Sequence, residues 1–130
     1  MAVIVADTDV LIDFLAGVDP AARQVTAELE RGSLRTTAIT RFELLSGALN
    51  ARQEETILAL LTAIPTLVLD EAAADRAAHV RRSLERSGNS IGMADSLIAG
   101  ISLLHGAVLL TRNRRHFARV PGLRLADFKS

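Results

Sequence analysis

Three carboxylates stand where apolar sequence meets polar sequence, and their placement is the first chemical signal in the chain. Asp7 ends the run Ala2–Ala6, Glu43 follows Thr40-Arg41-Phe42, and Asp95 stands at the start of an apolar stretch that reaches His105. A carboxylate at the end of a buried strand is costly unless a cation or hydrogen bonds compensate it. Clustered anions repel one another, so three such residues at one edge would need a cation, and a metal ion is one solution. Each residue also has a local structural role open to it. Asp7 can accept from backbone amides of the helix that follows, although Asp9 is the better N-cap candidate. Glu43 lies three residues after Thr40, which is capping-box spacing. Asp95 sits where a helix dipole favours an anion. Asp13, between Ile12 and Phe14, reads as a solvated residue on the outer side of the first helix.

A second signal follows the apolar run Ala107–Leu110. Thr111-Arg112-Asn113-Arg114-Arg115-His116-Phe117 is polar and basic, and Arg119 adds a fourth arginine. The guanidinium fork can bind two phosphate oxygens at once, which makes Arg112, Arg114 and Arg115 candidate phosphate contacts. A solvated basic helix end is the alternative. His116 is open to three roles: metal ligand, proton carrier or surface residue.

Composition narrows the classes. Fifteen basic and fifteen acidic residues cancel, so nothing in the net charge argues for a polybasic nucleic-acid binder. The absence of cysteine excludes disulfides, thiolate zinc sites and cysteine nucleophiles. Four Phe, with no Trp or Tyr, leave few platforms for base stacking. The N-terminal apolar run is too short for a signal peptide, and no apolar run approaches membrane-spanning length. A soluble cytoplasmic protein with no membrane partner is the expectation.

The elements that must position these residues alternate between strand and helix. Ala2–Ala6 reads as a strand buried on both faces, followed almost without a loop by a helix from Asp9 with Val10, Leu11, Phe14, Leu15 and Val18 at helical spacing, closed by Gly17 with Asp19-Pro20. Further helices are expected from Pro20 to Arg31, from Thr40 to about Leu49, from Glu54 to Ile64, from Glu71 to Arg86, from Ala94 to His105 and around Arg114 to Ala118. Strands are expected at Leu34–Ile39, Thr66–Leu69, Ala107–Leu110 and Leu123–Ala126. No linker or repeat interrupts the 130 residues, so residues 1–130 are read as a single domain. Alternation of this kind makes a parallel α/β sandwich, whose ligands bind beyond the carboxyl ends of the strands.

Taken in order, the motifs resemble one known family. Val3-Ile4-Val5-Ala6-Asp7-Thr8-Asp9-Val10-Leu11-Ile12 resembles the opening of PIN-domain ribonucleases, in particular VapC-type toxins of bacterial toxin–antitoxin pairs. Ile39 to Gly47 and Ile91 to Gly100 are similar to that family's second and third acidic segments. Leu109 to Asn113, with Phe117 and Val120-Pro121-Gly122-Leu123, is similar to its closing segment. The resemblance implies a PIN-like three-layer sandwich with a parallel sheet of about five strands flanked by helices. It implies a metal-dependent endoribonuclease, a toxin inhibiting translation by RNA cleavage, with Asp7, Glu43 and Asp95 holding Mg²⁺ or Mn²⁺ and Asp9 and Asn113 as further possible ligands. It also implies a cognate antitoxin partner and a homodimer. Thr8 would brace the first acid, while Arg112, Arg114, Arg115 and His116 would meet the substrate. The family's fourth acid, in the Asn113 or the His116 position, is missing here, which leaves room for one ion and puts a second in doubt.

Two rivals have distinct signatures. Asp7-Thr8-Asp9-Val10-Leu11 after an apolar strand is also similar to the nucleophile segment of haloacid-dehalogenase-like phosphatases. Those enzymes need a lysine beside the aspartyl phosphate, and the sole lysine here is Lys129 in the tail. A PIN-like protein that binds RNA or an antitoxin with weakened or lost cleavage is the rival of another class, suggested by the missing acid.

Overall fold

Ile4–Ala6 forms β1, Leu34–Thr37 β2, Thr66–Leu67 β3, Val108–Leu110 β4 and Arg124–Leu125 β5 in the computed structural model, which describes residues 2–128. All pairings are parallel, and the sheet order is β3-β2-β1-β4-β5. The helices are α1 (Thr8–Leu15), α2 (Ala21–Arg31), α3 (Ala38–Ser46), α4 (Ala51–Ala63), α5 (Glu71–Arg86), α6 (Met93–Leu104) and α7 (Arg114–Phe117). Lys129 lies outside the described residues.

Side chains alternate across a strand, so consecutive residues of β1 and β4 feed opposite layers. Ala6 and Leu110 join Val10, Leu11, Val25, Leu44 and Leu61 in one core. Val5 and Leu109 join Val80, Ile98, Ala99 and Phe117 in the other. Two buried faces explain why these strands read as unbroken apolar runs. In the second layer α5 and α6 approach closely: a Cβ on Gly100 would come within 2.6 Å of Ala77 Cα, Cβ and N. Only glycine permits that approach.

The chain builds β1, β2 and β3 in one direction and then returns to place β4 on the other side of β1. That reversal opens a crevice beyond the carboxyl ends of β1 and β4, where ligands of open α/β sheets bind. Among the described residues no helix is long and apolar enough to cross a membrane.

Four helix starts fall earlier than the sequence suggests, that of α6 by the single residue Met93. The first begins at Thr8, because Asp7 and not Asp9 is its N-cap. The third begins at Ala38, with Thr37 Oγ1 accepting from the Thr40 amide at 3.1 Å. Thr37 offers the same hydroxyl as Thr40 one turn sooner, so the Thr40–Glu43 capping box does not form. The fourth begins at Ala51, capped by Asn50 Oδ1 on the Gln53 amide at 2.9 Å. The helix Glu71–Arg86 has the expected bounds. Observed strands are shorter than the expected runs: β2 and β3 start where expected but stop at Thr37 and Leu67, β2 because Ala38 already begins α3.

Candidate active site

Asp7 leaves β1 at its carboxyl end, held by a backbone bond from its own N–H to Leu110 O at 2.9 Å. The same pairing, Ala6 opposite Leu110, brings the next residue of β4 alongside it. Thr111 Oγ1 donates to Asp7 Oδ2 at 2.7 Å, and the Thr8 amide donates to Oδ1 at 2.8 Å. Asp7 is only 5% exposed. Burial is the main cause that pushes its carboxyl up to about 6 from 3.8, with the charges of Asp9 and Asp95 adding to the rise; the two hydrogen bonds oppose it without cancelling it. Both donors are neutral, so among the described residues no cation compensates the carboxylate directly.

Glu43 comes from the second turn of α3. Its Oε1 accepts from Thr8 Oγ1 at 2.7 Å, and Thr8 Oγ1 also contacts Thr40 Oγ1 at 3.0 Å. Thr8 therefore serves two acids, Asp7 through its amide and Glu43 through its hydroxyl. The expected brace on the first acid is present, but the side chain itself turns to the second.

Asp95 lies in the first turn of α6. Burial raises its pKa foremost, His116 opposes that, and the charges of Glu43 and Asp9 raise it further. Its Oδ2 accepts from Asn113 Nδ2 at 3.2 Å and stands 4.0 Å from His116 Nδ1. Asp7, Glu43 and Asp95 thus gather at the carboxyl edge, each from a different element. Among the described residues, however, no three Asp, Glu, His or Cys side chains converge closely enough to enclose an ion by themselves.

The remaining candidates divide. Asp9 accepts from the Arg112 amide at 3.2 Å and has a pKa raised chiefly by burial, so it both joins the acidic group and anchors the segment after β4. Asp13 is not solvated, as its position in the first helix suggests. Its side chain is 16% exposed and pairs with Arg112 Nε at 3.0 Å, because the segment after β4 folds over α1. Arg114 bonds the Ala126 carbonyl and pairs with Asp127 at 3.0 Å, turning toward the end of the chain rather than toward the acids. Arg115 is exposed. Thr111 was not a candidate from sequence. Its signal is that Asp7 and Thr111 are the first polar residues after two buried runs, which become informative once those runs are neighbours.

The PIN domain family matches residues 4–123 of this chain. The chain is 33% identical over 126 residues to the tRNA(fMet)-specific endonuclease VapC of Shigella flexneri, covering 94% of this chain and 95% of that protein. It is 33% identical to ribonuclease VapC10 of Mycobacterium tuberculosis, covering 88% and 85% of the two chains. Among solved structures it is similar to DNA-bound VapBC from Salmonella typhimurium, with a TM-score of 0.82 and 27% identity over 99% of this chain and 100% of that one. A toxin–antitoxin complex from Klebsiella pneumoniae has a TM-score of 0.76 and 25% identity over 92% and 94%. With its five parallel strands, its acids at the carboxyl edge and this match over most of its length, the chain belongs to the PIN domain family.

Proposed function

We propose that the protein is a metal-dependent endoribonuclease, the toxin of a toxin–antitoxin pair, that cleaves RNA at the Asp7–Glu43–Asp95 edge. The observation that carries this reading is the gathering of acids on three elements, with no cation beside Asp7 among the described residues and with burial raising Asp7 and Asp95. Such a site suits a hard cation. Magnesium keeps several waters and uses one or two carboxylates, so acids too far apart to enclose an ion alone still fit one held partly through water. Asp7, Glu43 and Asp95 are the residues that would hold Mg²⁺ or Mn²⁺; Asp9, tied to the Arg112 amide, is a weaker candidate. When bound, the ion supplies a water of lowered pKa and stabilises charge on the phosphoryl oxygens.

The chain's own side chains do the rest. Thr111 and Thr8 hold Asp7 in one orientation, and Thr8 does the same for Glu43. Arg115 is exposed and can meet a phosphate, and Arg112 can do so by leaving Asp13. A groove of about 620 Å³ lined by Ile12, Leu15, Ala16, Leu44 and Ile57 runs to Glu43. A cognate antitoxin segment lying there would cover the site. A homodimer pairing two such clefts is part of the same reading.

Incubating the chain with transfer RNA, initiator tRNA first, in Mn²⁺, Mg²⁺ or EDTA tests the proposal. Discrete products are expected only with metal, and Asp7→Asn should produce none. Unchanged cleavage in excess EDTA sinks the metal-dependent reading. Asn113 and His116, neither of them an acid, favour one alternative, a PIN protein that binds RNA or antitoxin without cutting. Retarded but intact RNA in every metal would establish it.

A further inference from the structure

Asn113 touches Asp95, His116 and Thr111 at the carboxyl edge. Its Nδ2 lies 3.2 Å from Asp95 Oδ2 and 3.2 Å from His116 Nδ1. Its backbone N–H donates to Thr111 Oγ1 at 2.9 Å, the hydroxyl that in turn donates to Asp7. An ionised carboxylate can only accept hydrogen bonds, so the amide nitrogen and not the amide oxygen must face Asp95. The second hydrogen of that nitrogen is within reach of His116 Nδ1 at 3.2 Å, and an imidazole whose single proton sits on Nε2 accepts it there. Asp95 and His116 are too far apart for a hydrogen bond of their own at 4.0 Å. The amide joins them.

We propose that Asn113 is a positioning residue, joining Asp95 to His116 through the two hydrogens of one amide nitrogen, and is not itself an oxygen ligand of the metal. The inference rests on the reading of Asp95 as a metal-holding acid. It gives the position a defined task in a segment after β4 that carries no carboxylate of its own. Asn113 orients Asp95 toward the crevice and sets the tautomer of His116, so the imidazole presents an N–H outward. The backbone bond to Thr111 couples this bridge to Asp7, and one short segment after β4 thereby orients acids from both β1 and α6. Hydrogen bonds that orient a ligating carboxylate are worth about 10- to 100-fold in metal affinity.

Two measurements on the full chain test it. Calorimetric titration with Mn²⁺ should show affinity lowered on the order of tenfold in Asn113→Ala. Asn113→Asp should also bind more weakly than wild type, because a carboxylate there cannot donate and repels Asp95. Tighter binding by Asn113→Asp, or unchanged affinity in Asn113→Ala, overturns the proposal. Nitrogen-15 spectra of the metal-free histidines, assigned with His116→Asn and recorded at about pH 8.5 where imidazole is neutral, should show His116 as a single Nε2–H tautomer. That pattern should relax to a mixture in Asn113→Ala. A mixture already present in wild type overturns the bridge. If wild type binds no Mn²⁺, the metal reading fails, and the tautomer alone then decides for or against the bridge.

Discussion

Thr111 Oγ1 donates a 2.7 Å hydrogen bond to Asp7 Oδ2 across 104 residues of sequence, and this bond closes the carboxyl edge of the sheet between the central strand β1 and its neighbour β4. It is buried, and one partner is a carboxylate, so it belongs to the stronger class of side-chain bonds.

Thr111→Val keeps the shape and removes the donor. A buried carboxylate left with the Thr8 amide alone should destabilise the chain by about 1.5–3 kcal/mol near neutral pH. Urea denaturation measures the loss, and equal midpoints for the two proteins would show that Asp7 finds a replacement donor.

Burial lifts the Asp7 carboxyl from 3.8 to about 6. Between those values the folded chain binds more protons than the unfolded chain, so the Asp7 contribution to stability declines as pH rises through that interval. Above it the deficit is on the order of 3 kcal/mol. Asp7→Asn carries no such charge. In EDTA its stability advantage over wild type should therefore grow as pH rises from about 4 to about 7. A gap that does not vary with pH would mean the carboxylate is compensated by a group that the geometry does not reveal.

Glu43 makes no cap, and glutamine in its place still offers an oxygen to Thr8 Oγ1. Glu43→Gln should keep its melting temperature within a few degrees while RNA cleavage falls on the order of a hundredfold, as expected when a charged metal-holding oxygen is lost. A lowered melting temperature with normal turnover would reverse the assignment of Glu43 from chemistry to structure.

The arginines after β4 should separate in their response to salt. Arg115→Ala should reduce the slope of log K for RNA against log salt by roughly 0.7–0.9, one phosphate's worth. Arg114→Ala should leave the slope unchanged and cost less than about 1 kcal/mol of stability, since its ion pair with Asp127 is exposed. Equal slope changes in both variants would place Arg114 on the RNA as well.

Gly100→Ala tests the second layer. With Ala77 backbone atoms 2.6 Å from the new methyl group, α5 and α6 must separate, at a cost of typically 1–3 kcal/mol. Thermal denaturation of the metal-free chain checks this, and an unchanged midpoint would show that the layer yields freely.

Local sequence determined the alternation of strand and helix, because burial on two faces and on one face write different periods into a chain. Glu71–Arg86 could be read to the residue, as its polar and apolar positions alternate with helical spacing throughout. The three acids were legible as well, since each interrupts or borders apolar sequence. Caps were not: Thr37 and Thr40 offer the same hydroxyl, as Asp7 and Asp9 offer the same carboxylate, and only the direction of the entering strand selects between them. The partners of the acids were beyond reach for a further reason. Thr111 meets Asp7 because β4 is inserted beside β1, and Asp13 meets Arg112 because the segment after β4 folds over α1. Strand order is decided by how two helical layers cover one sheet, a property of the whole packed core that no local window of sequence contains.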